Sequence, residues 1–374
     1  MKQYKLTEGS SIIIDLIRGV SAQIVVIGHG ISFFGIFTFL HEPNFPWIQN
    51  IAVLVFFLIS GFLISYSTIR KKDHIHYRFS HYFIDRFSRI YTAYIPAILF
   101  IFIIDLISQG ISSETYSYAN AFNFRTFLGN LLMLQDYPLQ TIKWLPDQIK
   151  ITSFGSARPL WTLAIEWWIY LSFGYLVLVI LRKNTLTFFN YLLLFILSII
   201  PLFNLILGRG NGLTMFWIFG LLVYVVSTLN ALDTSSKKLK IMFLTLFSGL
   251  ALVRTYIVME AYDAIFAFLL SIALWLIIDL VKNTKIPTVL TKIIKYNASF
   301  SYTLYLTHYT ILSFLQTHFS HSINPYVLFI LGFILSNFFS ILIGRYTELT
   351  LTYNVKQKLY RIINKDTRFE TNYK

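Results

Sequence analysis

The chain has 374 residues, 56% hydrophobic and only 13% charged; a soluble domain carries about a quarter charged residues, so an ordinary water-soluble globule is excluded. Its 36 Phe and 24 Tyr read as lipid-facing surface and interfacial belts rather than as base-stacking platforms. A net charge of +14 would suit a nucleic-acid partner, but the placement of the cations argues against one, and the absence of cysteine removes disulfides, thiolate metal sites and cysteine nucleophiles.

Ten apolar segments approach the ~20 residues that cross a hydrocarbon slab. They fall at 11–33, 48–69, 87–107, 161–181, 187–207, 212–229, 241–258, 261–281, 299–319 and 325–346. The expectation is an all-α fold, a polytopic transmembrane helical bundle of about ten spans. The first segment lacks a small-residue cleavage site and is interrupted by Arg18, so it is expected as a retained helix and not a signal peptide. Residues 1–350 would form one membrane unit, and 351–374 a short cytoplasmic tail.

Within the first segment Asp15 and Arg18 are three apart and can pair on one helix face. Arg18 and His29 are eleven apart, which returns them to nearly the same face about 16 Å apart along the axis. Ionisable groups at this depth cost about 2.5–3.5 kcal/mol on insertion scales, and each is a functional candidate by default. A purely structural reading makes Asp15–Arg18 a folding pair and His29 a satisfied interior hydrogen bonder. The shared face favours function, with His29 foremost. Gly19, Ser21, Ala22, Gly28 and Gly30 leave room for a close helix or a ligand.

The connector into the third segment carries Arg86 and Arg89, also three apart. They suit a bidentate phosphate clamp at the cytoplasmic entrance, or plain positive-inside anchoring. His74, His76 and His81 lack carboxylate or thiolate partners at metal-site spacing, so no metal is expected.

Residues 108–160 form the one long connector, on the extracytoplasmic side, with an apolar piece at 127–134 too short to span. The fourth segment opens with Arg158, Pro159 and Trp161, and Glu166 follows at a depth expected to match His29. Its carboxylate is expected to orient that imidazole or hold substrate hydroxyls; a snorkelling interfacial Glu is the plain alternative.

In the ninth segment Ser301, Tyr305 and His308 have the i, i+4, i+7 spacing of one face. They can line a cavity or act as interhelical polar glue. Arg345 and Glu348 offer an ion pair of structural character near the end of the last segment.

The cations sort by side. Lys2, Lys5, the 70–89 stretch, Arg182, Lys183, Lys237, Lys238, Lys240, Lys282, Lys285, Lys292, Lys295 and the tail from Arg345 hold 24 of the 31 Lys and Arg. The opposite connectors hold Arg125, Lys143, Lys150, Arg158, Arg209 and Arg254. This positive-inside asymmetry predicts both termini in the cytoplasm. It also suits contact with anionic membrane lipid or a phosphorylated cytosolic substrate.

Five blocks in order resemble the acyltransferase-3 family of integral-membrane acyltransferases. They are Arg18 with His29; Phe56 to Phe62; Arg86 to Ile90; Trp161-Thr162-Leu163-Ala164-Ile165-Glu166; and Ser301 to His308. Thr162 stands where the family usually has Ser, Tyr91-Thr92 where it often has Tyr-Pro, and the single Arg86 where two basic residues are common. The resemblance implies about ten transmembrane helices in a bacterial inner membrane. It implies acetyl-CoA or another acyl-CoA as cytoplasmic donor substrate, and a hydroxyl of a cell-envelope carbohydrate as acceptor.

His29 and Glu166 are then the expected catalytic residues. His29 is the general base, with Tyr305 or His308 as donors to the tetrahedral oxyanion. Arg18, Arg86, Arg89, Asp15, Trp161, Ser301, Tyr305 and His308 are the expected substrate-binding set. With no appended esterase-like domain after the last segment, transfer is expected to go directly to the acceptor. The sequence does not separate direct transfer from an acyl-histidine intermediate, and it leaves the oligomeric state open, a homo-oligomer included. A transporter or flippase for a lipid-linked saccharide would also need polar groups at membrane depth, but matching broken-helix repeats are not found. A membrane scaffold would not need the buried Arg and His.

Overall fold

The computed structural model describes residues 4–74, 76–135, 146, 150–182, 185–206, 212–229 and 236–370. The middle of the long connector and the basic residues Lys2, Lys143, Lys183, Arg209 and Lys374 lie outside them. Among the described residues the chain is helical throughout, without a strand.

The helices are α1 (Glu8–Phe34), α2 (Ile48–Lys71), α3 (Phe79–Ile111), α4 (Phe124–Leu131), α5 (Leu160–Tyr175) and α6 (Phe188–Ile206). They continue with α7 (Leu213–Thr228), α8 (Lys237–Val258), α9 (Ala264–Leu280), α10 (Thr288–Ser299), α11 (Ser301–Phe319), α12 (Pro325–Gly344) and α13 (Thr352–Glu370). Each of the ten apolar segments falls on a helix.

Among the described residues seven helices are long and apolar enough to cross a membrane: α1, α2, α3, α5 with its continuation to Ile180, α6, α8, and the Pro325–Asn364 helix. The chain is an integral membrane protein. α7 and α9 are apolar but only 16 and 17 residues long. The threonines, serines and His308 of α11 make it more polar than a lipid-exposed span, and most of them are buried.

α1, α2, α3 and α11 form the centre, with α5 and α7 closing one side and α12 the other. The largest core cluster runs through α2, α3 and α5, while α6 and α8 keep most of their surface outward. Thr7 caps α1 by accepting from the Ser10 N–H, and the Ser10 hydroxyl donates to the Ile278 carbonyl at 2.9 Å, tying α1 to α9. Midway along α1, Gln23 exchanges amide hydrogen bonds with Asn337 of α12 and donates to Asn297 of α10. In hydrocarbon these amides have no water to fall back on, so they fix helix register.

α3 starts at Phe79, earlier than its apolar run suggests, and His81 Nδ1 caps its first turn by accepting from the Arg78 N–H at 3.4 Å. Arg86 and Arg89 therefore lie inside a helix and not in a connector. At 33 residues α3 is about 50 Å long, well beyond the ~30 Å hydrocarbon slab. Its first turns carry Asp85, whose carboxylate accepts from Lys71 at 2.8 Å, Lys356 at 2.7 Å, Tyr77 at 2.9 Å and Tyr360 at 2.8 Å. Burial and this carboxylate hold the Tyr77 hydroxyl protonated far above its ordinary range. α13 is thus docked on α3, reached from α12 through a π-helical turn at Arg345–Leu351. That turn aims Glu348 inward at Arg89, 3.4 Å away, and leaves Arg345 exposed. The ion pair expected between Arg345 and Glu348 is replaced by one between helices.

The described parts of the long connector fold back on the bundle. Asn130 holds the Thr152 carbonyl and the Phe154 N–H, the Gln135 amide donates to the Leu160 carbonyl at 3.0 Å, and buried Asp105 of α3 accepts from the Ser156 N–H at 2.7 Å. The Ser156 hydroxyl donates to Thr310 of α11. These bonds deliver Arg158 and Pro159 to the top of α5.

α2 and α7 cross with their backbones nearly touching. A Cβ on Gly61 would stand 1.9 Å from the Trp217 carbonyl oxygen, and one on Gly220 2.0 Å from that of Leu58. Gly220→Val is therefore expected to destabilise the protein by about 2–3 kcal/mol, read as a lower melting temperature in detergent. Gly249→Val, whose added carbon meets open space, should leave it unchanged.

Candidate active site

Two cavities enter the bundle from opposite ends and share three residues, Val53, Thr162 and Tyr305. The first, about 200 Å³, is built where α1, α3 and α11 begin and α2 and α5 run toward their ends. Arg18, Arg86, Arg89, Glu166, Ser301 and Tyr302 line it. The second, about 630 Å³, opens where α1 ends and α2, α5 and α9 begin. His29, Trp47, Arg158, Trp161, Tyr262 and Tyr309 line it.

The three arginines predicted from sequence converge on the smaller cavity. Arg18 pairs with Asp15 at 3.1 Å and donates to the Ala298 carbonyl at 3.4 Å; Asp15 itself lines neither cavity. Arg89 pairs with Glu348, whose other oxygen accepts from the N–H and hydroxyl of Thr303. Arg86 lies over the Tyr82 ring and has no carboxylate partner among the described residues. Arg18 Nε, Arg86 Nε and the Tyr302 hydroxyl are buried donors without a protein partner. Buried polar atoms are ordinarily satisfied, so three such orphans around one basic cavity point to an acceptor-rich ligand. Ser301 belongs to the same wall, but its hydroxyl donates to the Ala298 carbonyl at 2.8 Å.

Glu166 lines this basic cavity and does not share one with His29. It lies one helical turn past Thr162, which puts it beyond the shared wall. Its carboxylate accepts from the Tyr170 hydroxyl. Because that proton goes to Glu166, the Ser60 hydroxyl, 2.8 Å away, donates to Tyr170 and itself accepts from the Trp217 indole N–H at 3.2 Å. Ser60, Tyr170 and Trp217 were not singled out from sequence. Ser60 lies within the Phe56–Phe62 block and Tyr170 one turn past the Trp161–Glu166 block, whereas Trp217 carries no sequence signal.

His29 faces the larger cavity. Gly28 beside it lets α2 close on α1, since a Cβ there would stand 2.4 Å from the Gln49 side chain. The imidazole meets Tyr309 edge-on at 5.0 Å and the His308 ring at 5.3 Å between centroids. His308 is fully buried and does not line the cavity. Its Nδ1 lies 2.9 Å from the Leu304 carbonyl, which can only accept, so the ring proton sits on Nδ1 and Nε2 is a lone pair. A neutral His308 in this geometry offers an acceptor and has no proton for an oxyanion. Tyr305 binds Thr162 and donates to the Pro159 carbonyl, completing the wall between the cavities. Trp161 lines the His29 cavity. Among the described residues no group of three or more His, Asp or Glu is placed to hold a metal ion.

The family model described as an acyltransferase domain (acyltransferase-3) matches residues 11–345. The chain belongs to the acyltransferase-3 family. The match takes in both cavities and ends at the π-helical turn, so α13 lies beyond it. A protein named an O-acetyl transferase, from Shigella phage Sf6, is 33% identical over 190 residues, 49% of this chain and 50% of the relative. The chain thus spans about half the length of the curated relative it matches. No solved structure matches the chain. Across the family-matched region, Arg158, Tyr309 and Tyr262 are cavity residues that sequence reasoning passed over. Each is an ordinary interfacial side chain by composition and becomes notable only through the fold.

Glu348 is fully buried while Arg89 keeps 39% of its side chain exposed. Removing one partner of a fully buried pair costs about 3–5 kcal/mol, and Arg89's access to water lowers that. Glu348→Ala should destabilise by roughly 2 kcal/mol in a detergent melt. Glu348→Gln, which still accepts from Thr303, should lose less.

Proposed function

We propose that the protein is a membrane O-acyltransferase that moves an acyl group, most simply acetyl, from cytosolic acyl-CoA to a hydroxyl of a cell-envelope carbohydrate. The observation that carries this reading is the pair of cavities meeting at Tyr305 and Thr162, one basic with orphaned donors, the other presenting an imidazole. Family membership and the phage O-acetyl transferase support the reaction class. In this reading the chain crosses a bacterial inner membrane about ten times with both termini cytoplasmic. Residues 1–350 are the catalytic unit and 351–374 a cytoplasmic tail, so the basic cavity faces the cytosol.

The basic cavity, about 200 Å³, is narrower than the ~300–1,000 Å³ of ordinary ligand pockets. It suits the slender pantetheine arm of acetyl-CoA, with the nucleotide phosphates at its mouth against Arg86 and Arg89 and Arg18 deeper in. Glu166, held by Tyr170, accepts from an amide N–H of that arm. The aromatic cavity receives the sugar, stacked on Trp47 or Trp161. His29 takes the acceptor hydroxyl proton as the oxygen attacks the thioester carbon. The carbon–sulfur bond breaks and the imidazolium returns the proton to the leaving thiolate, so the enzyme ends unchanged. Tyr305, at the meeting point, turns its hydroxyl from the Pro159 carbonyl to the developing oxyanion.

The test uses the full chain in nanodiscs with acetyl-CoA as probe. Because the protein has no cysteine, a thiol reagent reports released CoA without background. His29→Ala should cut turnover by about 10²–10⁴-fold with acetyl-CoA affinity intact. Arg86→Ala should weaken that affinity roughly tenfold or more, the scale of one charge-assisted hydrogen bond. Full turnover in folded His29→Ala protein removes the base. Absence of acetyl-CoA binding by folded wild-type protein would favour the transporter reading.

A further inference from the structure

The buried lone pair of His308 has no role in the scheme above. Its Nδ1 proton is committed to the Leu304 carbonyl, the ring is wholly buried, and Nε2 has no partner. At this depth bulk water cannot supply one. Of the rings around it, Tyr305, with its centroid 6.0 Å away, already donates its proton to the Pro159 carbonyl. His29 is closer, with centroids 5.3 Å apart and planes inclined by 31°. Two imidazoles joined by an in-line N–H···N bond of about 3 Å have centroids roughly 5 Å apart. The rings therefore have the separation at which such a bond forms when a His29 nitrogen faces Nε2.

We infer that His308 is the positioning residue for His29: one His29 nitrogen donates its proton to His308 Nε2, which leaves the other as a lone pair facing the large cavity. The inference rests on the reading of His29 as the base. A free imidazole divides its proton between two nitrogens, and only one of those tautomers presents a base to the cavity. The Leu304 carbonyl fixes the His308 tautomer, and His308 in turn fixes that of His29. When His29 takes the acceptor proton, its inner N–H stays on His308, so no proton passes along the pair. His308 touches neither substrate and acts only through His29.

Nitrogen NMR of isotope-labelled histidine tests this in wild-type protein in lipid, with His29 assigned by comparison with His29→Ala. The expected result is one His29 tautomer, coupled across an N–H···N bond to His308. A mixture of His29 tautomers, or no coupling between the rings, overturns the proposal. Kinetics with acetyl-CoA supply the second arm. His308→Leu should lower turnover roughly 10²-fold, less than the ~10⁴ lost when a protease triad's carboxylate is neutralised, with acetyl-CoA affinity unmoved. His308→Gln, whose carboxamide oxygen can accept the same bond, should recover most of the loss; a packing role would favour neither variant. In a His29→Ala background His308→Leu should cost nothing further. Inactive His29→Ala beside fully active His308→Leu sinks the positioning role alone, whereas fully active His29→Ala sinks the base reading on which it rests.

Discussion

The hydrogen bond between Thr162 and Tyr305 joins α5 to α11 at the point where two cavities from opposite ends of the bundle come within one side chain of each other. Everything chemical in the fold is arranged about that contact. Below it lie three guanidinium groups and a Tyr170-anchored carboxylate; beyond it lie an imidazole and a ring of aromatic side chains. These two hydroxyl-bearing side chains and Val53 line both cavities.

The bilayer sets the second constraint. With no water to satisfy them, polar groups at depth must find partners in the protein, and most here do: Gln23 with Asn337, Asp85 with two lysines and two tyrosines, Glu348 with Arg89 and Thr303. Arg18 Nε, Arg86 Nε, the Tyr302 hydroxyl and His308 Nε2 are exceptions. They lie on the two sides of the Thr162–Tyr305 contact.

Hydropathy made most of the helices legible, and helical spacing put Arg18 and His29 on one face of α1 and brought Arg86 and Arg89 together. The rest depended on contacts between distant segments. Glu166 reads from sequence as a neighbour of His29 because both lie some turns into the membrane. Depth is only one coordinate, however, and the wall at Thr162 assigns Glu166 to the basic side. The partner of Glu348 was misread because a π-helical turn inserts extra backbone and swings the carboxylate toward α3, a change that local pattern does not reveal. The break at Phe300, which separates α10 from α11, is likewise hidden inside an apolar run. The His29–His308 proximity joins residues nearly three hundred positions apart and has no trace in either segment alone.

A structure of the full chain in lipid with a non-hydrolysable acetyl-CoA analogue tests the central claim most directly. The account predicts the pantetheine arm in the cavity of Arg18, Arg86 and Arg89, its acyl end at Tyr305 and directed toward His29. An analogue bound in the His29 cavity, or one whose acyl end lies away from the Thr162–Tyr305 contact, would contradict it.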